Sequence, residues 1–132
     1  MYNGVYTIEQ YAYVYDTLIK WLTDKVSGES LGDKLVEKGI NSVAIYGVNG
    51  LGELAAEDIR EKAEVVCFID RNPSLIGTKR NGISVLGLDD LAKVPEKTHI
   101  LIAPEFYFRE IMDTLYEKGI DESRIISLSM LV

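Results

Sequence analysis

Residues 42–70 decide the fold. They read Ser42-Val43-Ala44-Ile45-Tyr46, then Gly47-Val48-Asn49-Gly50-Leu51-Gly52, then an amphipathic stretch, and end on Glu64-Val65-Val66-Cys67-Phe68-Ile69-Asp70. The two apolar runs are short and rich in β-branched residues, which favours strands. Between them Leu51, Leu54, Ala55 and Ile59 draw one face of a helix over Leu51–Lys62. A chain that leaves a strand and enters a helix at once must turn sharply, which favours Gly47. A helix packed close on that strand favours Gly52, and a phosphate brought to the helix N-terminus favours bare backbone. The spacing fits G-x-G-x-x-G at its first and third glycines. At the second stands Asn49, with Gly50 beside it. Asp70 closes the next strand, near the ~20-residue distance expected of an acid that accepts from a ribose hydroxyl. Its plainer reading is a solvated strand-end carboxylate that opens the turn into Arg71-Asn72-Pro73.

Further strands are expected at Ile83–Leu86, His99–Ala103 and Arg124–Leu128, with a brief helix at Leu88–Ala92 and a longer one at Phe106–Lys118. Strands that read as unbroken apolar runs are covered on both faces, the mark of a parallel sheet. Strand alternating with helix predicts an α/β fold: a Rossmann-like three-layer sandwich whose five parallel strands lie in the order third, second, first, fourth, fifth. Ahead of it Tyr11, Val14, Tyr15, Leu18, Leu22 and Val26 form a helical stripe, expected to bury against the body or a second subunit. Ser30 N-caps a shorter helix through Leu31, Leu35 and Val36. Residues 1–40 are thus read as an N-terminal helical segment and residues 41–132 as the Rossmann-like domain.

The chain has 132 residues, is 47% hydrophobic and 27% charged, and has a net charge of −7. That size and balance suit one globular domain. The negative field disfavours nucleic acid as a partner. No apolar run is long enough to span a membrane, and no secretory leader is apparent. One cysteine, Cys67, and one histidine, His99, cannot build a typical zinc site, and a lone cysteine fits a reducing cytoplasm. Cys67 reads as a buried small residue and His99 as a strand-end histidine.

Ala103-Pro104-Glu105 ends the fourth strand on the edge where ligands sit in open α/β sheets, and also suits a helix start. Arg71, Lys79 and Arg80 follow Asp70, either to meet a phosphate or as solvated loop charges. The tyrosines at 11, 13 and 15 lie on more than one helix face, and with Trp21 they point to a homodimer. No YxxxK pair and no Ser-His-Asp set is evident.

Ile69-Asp70, Pro73, Gly77 and Gly82-Ile83-Ser84-Val85-Leu86-Gly87, with the glycine turn before them, resemble the Rossmann-like domain of surface-polysaccharide biosynthesis proteins. There it precedes nucleotide-sugar dehydratases and sugar acetyltransferases, or sits beside glycosyl- or methyltransferase modules. The likeness covers residues 42–128. It implies a pocket for NAD(P), a nucleotide-sugar or coenzyme A, serving a fused or partner polysaccharide enzyme. By position, the backbone of Gly47, Val48, Asn49, Gly50, Leu51 and Gly52 would face phosphates and Asp70 a ribose. Arg71, Ala103 and Pro104 complete the candidate site.

Three functions compete: a nucleotide-binding module without independent catalysis, a small NAD(P)-dependent nucleotide-sugar dehydrogenase or epimerase, and a structural dimerisation domain with a lost ligand site. The size of the chain and the lack of a catalytic set favour the first. Asn49 gives a direct test by calorimetric titration of NAD. If its side chain crowds the phosphates, Asn49→Gly binds more tightly than the native chain. If it donates a hydrogen bond, worth ~1 kcal/mol net, Asn49→Gly binds more weakly. Gly52→Val abolishes binding in either case.

Overall fold

The computed structural model describes residues 7–48, 50–103 and 107–132. Helices α1 (Ile8–Val26) and α2 (Leu31–Glu37) precede strand β1 (Ser42–Tyr46), helix α3 (Leu51–Ile59) and strand β2 (Glu64–Ile69). Then follow β3 (Lys79–Arg80), β4 (Ile83–Leu86), a 3-10 helix at Leu88–Lys93, β5 (His99–Ile102), α4 (Phe108–Glu117) and β6 (Ile125–Ser127). The sheet order is β3-β4-β2-β1-β5-β6. Its five parallel strands lie in the order expected from the sequence.

The sixth strand was not expected. β3 pairs antiparallel with β4. Asn81 and Gly82 join them, both with positive φ, at 53° and 79°. Two such residues make the tight mirror-image turn that suits a twisted hairpin, for which Asn-Gly is the strongest short signal. The hairpin takes the place of a helical crossover between β2 and β4.

Strand alternation splits the core into two layers. Val43, Ile45, Phe68 and Leu101 face one side, with Ala55, Ala56 and Ile59 of α3 and Leu31 and Leu35 of α2. Ala44, Cys67, Ile69, Ile100 and Ile102 face the other, with Ile111 and Leu115 of α4. Gly52, Ala55, Ala56 and Ile59 form the inner face of α3, while Leu54 points outward. The expected face therefore shifts towards the small residues. At its first turn the helix lies so close to β1 that Gly52 has no room for a Cβ.

Both N-terminal helices carry reciprocal caps. Thr7 Oγ1 accepts from Gln10 N at 3.1 Å, and Gln10 Oε1 accepts from Thr7 N at 2.9 Å. This box starts α1 earlier than the Tyr11 stripe indicated. Ser30 and Asp33 repeat the arrangement on α2. Gly32 meets α3 closely, since a Cβ there would stand 2.8 Å from the Ile59 carbonyl oxygen.

In the single chain the body covers only part of the expected α1 stripe. Thr17 and Trp21 are buried, with Val14 and Leu18 half-buried beside them. Tyr11, Tyr15, Leu22 and Val26 are exposed. The helix docks through a polar anchor that apolar periodicity does not reveal. Trp21 Nε1 donates to Asp58 Oδ2 at 2.8 Å, and Leu31 N donates to the same oxygen at 2.9 Å. Lys25 Nζ pairs with Oδ1. One carboxylate on α3 thus ties α1 and α2 to the body.

Asp58→Ala leaves the indole and amide donors without their acceptor, at ~1–3 kcal/mol for each one that stays buried. A urea titration should show stability lowered by about 2–3 kcal/mol. Trp21 is the sole tryptophan, so its emission reports the loosening of α1 directly.

Candidate functional site

The parallel strands place their C-terminal ends side by side. Gly47 N donates to Ile69 O at 2.9 Å, Asp70 N to Leu86 O at 2.9 Å and Ala103 N to Tyr46 O at 3.1 Å. From β1 the chain moves outward to β2 and β4, then crosses back to β5 on the other side of β1. The order reverses between β1 and β5, and a crevice at such a switch point is where open α/β sheets bind ligands. Gly47 and Ala103 flank it.

The turn from β1 into α3 is built for close approach. Gly47 has φ 98° and Gly50 has φ 55°, conformations that side chains rarely adopt. A Cβ on Gly52 would collide with the carbonyl oxygen of Gly47. Val48 is fully buried and anchors the turn in the core. Gly50 caps α3 without a side-chain hydrogen bond. Among the described residues, therefore, no side chain caps the first N–H groups of the helix, from Leu51 onward. Those donors and the positive end of the helix dipole form an anion site in the making.

Asp70 lies beside this turn. Its Oδ2 accepts from Val48 N at 3.1 Å and its Oδ1 from Asn72 N at 2.9 Å. The carboxylate thus latches the glycine turn to the end of β2, and each oxygen keeps a lone pair for a further donor. Arg71 follows it and is exposed. Arg80 pairs with Glu53 of α3 at 3.5 Å, which commits it elsewhere. Lys79 is exposed on β3. Asn49 and Pro104 fall outside the described residues, so the structure brings together Gly47, Val48, Gly50, Leu51, Gly52, Asp70, Arg71 and Ala103 of the expected set.

Tyr46 was not anticipated. It is the last residue of β1, buried, and its hydroxyl has no hydrogen-bond partner among the described residues. Burial raises its pKa above the ordinary phenol value; the nearby Arg71 pulls it down and Asp70 pushes it up. The phenol therefore lies within electrostatic reach of the Asp70–Arg71 corner. The sequence signal was a tyrosine ending an otherwise apolar strand just before the glycine turn.

Other candidates stand apart. Burial pushes the Cys67 thiol up to about 11, so the thiolate a nucleophile needs is scarce at neutral pH. His99 begins β5, at the sheet edge opposite the crevice, and burial and then Arg124 lower its pKa. Among the described residues no group of three His, Cys, Asp or Glu side chains could hold a metal, and no helix is long and apolar enough to cross a membrane.

A family model described as C2185-like, N-terminal, matches residues 39–126. A search of curated proteins finds no match. Among solved structures, UDP-D-quinovosamine 4-dehydrogenase from Vibrio fischeri superposes with a TM-score of 0.56 at 20% identity, over 67% of this chain and 77% of that one. RSP in complex with β-NAD+ and operator DNA superposes with a TM-score of 0.50 at 17% identity, over 67% of this chain and 49% of that one. At these identities the likeness is one of fold, a Rossmann-like α/β sandwich.

Removing a buried hydroxyl that lacks a partner, while keeping its shape, costs nothing. Tyr46→Phe should therefore leave urea stability unchanged or raise it by up to about 1 kcal/mol.

Proposed function

The chain belongs to the C2185-like N-terminal family, and on that footing we propose that it is a nucleotide-binding Rossmann-like module without independent catalysis. The ligand is NAD(P) or a nucleotide-sugar. The observation that carries this reading is the uncapped N-terminus of α3, opened by the glycine turn and latched by Asp70 at the switch point. A net charge of −7 repels a phosphate at long range, so capture depends on local dipoles. Backbone N–H groups from Leu51 onward receive the phosphates. Asp70 accepts from a ribose hydroxyl with its remaining lone pairs. Arg71 and Ala103 line the crevice, and the Tyr46 hydroxyl finds its partner on the bound ligand.

Residues 41–132 form the binding unit, and residues 1–40 are the helical segment attached to it. The resemblance of Ile69-Asp70, Pro73 and Gly82–Gly87 to surface-polysaccharide proteins supports a place in sugar-nucleotide metabolism, beside a fused or partner enzyme in a reducing cytoplasm.

Calorimetric titration of NAD, UDP-glucose and coenzyme A into the chain tests the reading. NAD or UDP-glucose should bind. Asp70→Ala should weaken that binding at least tenfold, the equivalent of ~1.4 kcal/mol. Tyr46→Phe should weaken it while leaving stability intact, separating a ligand contact from a structural one. If none of the three ligands binds the native chain, the reading fails.

A further inference from the structure

Helix α1 has two apolar faces, and the body covers only one of them. At 3.6 residues per turn, Val14, Thr17 and Trp21 point one way. Ile8, Tyr11, Tyr15, Ile19, Leu22 and Val26 line the opposite side. Their exposure is high: 88% for Ile8, 64% for Tyr15, 59% for Leu22 and 89% for Val26. The stripe runs about 27 Å along the helix, at ~1.5 Å per residue. A monomer in water rarely displays so long an apolar seam. Next to it a groove of about 430 Å³ opens between α1 and α3, with Leu18, Trp21 and Leu22 on one wall and Leu54 on the other.

We infer that this seam is a self-complementary interface, on which a second copy of the chain packs its own α1 antiparallel about a two-fold axis at the level of Thr17. Three features of the helix select that occupant. The first is register. With Thr17 at the centre of Ile8–Val26, Ile8 meets Val26 of the second copy, Ala12 meets Leu22, and Tyr15 meets Ile19. Tyr11 falls opposite Thr23, and each of the other apolar positions on the stripe finds an apolar position opposite.

The second is charge. An isologous contact makes residue i meet j and j meet i, so each flank of the helix meets the same flank of its mate in reverse. One flank carries Asp16 and Lys20, both exposed. Among the described residues neither is in an ion pair. In the antiparallel register Asp16 reaches Lys20 of the second copy, and the symmetry makes that pair twice. A parallel pairing would face this flank against the side that carries Lys25, which Asp58 already holds. Antiparallel helices also set opposite dipole ends together.

The third is size. Tyr11 lies at the level of the groove across the axis, where an aromatic ring with a polar tip suits apolar walls rimmed by Lys25, Glu57 and Asp58. A fully covered tyrosine contributes ~150–250 Å². Two of them, with the aliphatic side chains of the stripe and Leu54, bring the surface towards the ~800 Å² per partner of a standard interface. The seam contains none of the crevice residues Gly47, Asp70, Arg71 and Ala103, and the inference stands whether or not that crevice binds a nucleotide.

Sedimentation velocity on the full chain, over a concentration series, provides the test. The native chain should be a dimer. Leu22→Glu should be a monomer with an unchanged circular dichroism spectrum, because Leu22 is exposed in the single copy. Asp16→Lys and Lys20→Asp should each weaken association by roughly tenfold or more, since each creates two like-charge contacts. The double variant should restore it. A native chain that stays monomeric at every concentration overturns the inference. So does a dimer indifferent to Leu22→Glu, or a double variant that associates no better than the single ones.

Discussion

Gly52 rests on the carbonyl of Gly47, and the distance it sets between α3 and β1 governs what surrounds it. With no Cβ at that contact, the first turn of the helix lies directly on the end of the strand. The inner face of α3 is then built from Ala55 and Ala56, and the larger Leu54 is turned outward. The same closeness carries the Val48 amide to the Asp70 carboxylate and leaves the helix N-terminus open at the crevice. The candidate site is thus a by-product of how tightly one helix packs on one strand.

From α3 the order propagates to the N-terminal segment through polar contacts. Asp58 accepts from Trp21, Leu31 and Lys25, three residues on two elements. A carboxylate in that position restricts α1 to one rotation about its axis. The indole must face α3 to reach it, and the seam from Ile8 to Val26 must then face away. A purely apolar contact would have tolerated several rotations, because α1 offers apolar residues on two sides.

The five parallel strands and their order were legible because fully buried strands are unbroken apolar runs, and because glycine, proline and capping residues mark where they stop. The β3–β4 hairpin was missed, because a two-residue strand is too short to show a period, and Asn81-Gly82 was the signal that could have revealed it. At the site, Gly47, Gly52 and Asp70 could be found from spacing. Tyr46 could not, because its interest lies in a hydroxyl without a partner, and partners are a matter of packing. Asp70 also carries a task the spacing concealed, as the latch between two strand ends.

The sequence by itself determined the alternation of strand and helix, the sharp turn at Gly47–Gly52 and the existence of an amphipathic α1. Each depends on local periodicity or on the backbone freedom of single residues, and both are written along the chain. Only the tertiary structure decided which face of α1 is covered, which α3 residues point inward, and that Asp58 joins three elements. Those outcomes depend on distances between segments far apart in sequence. A helical period states that a face is apolar, while the space left by a neighbouring helix decides which face is used.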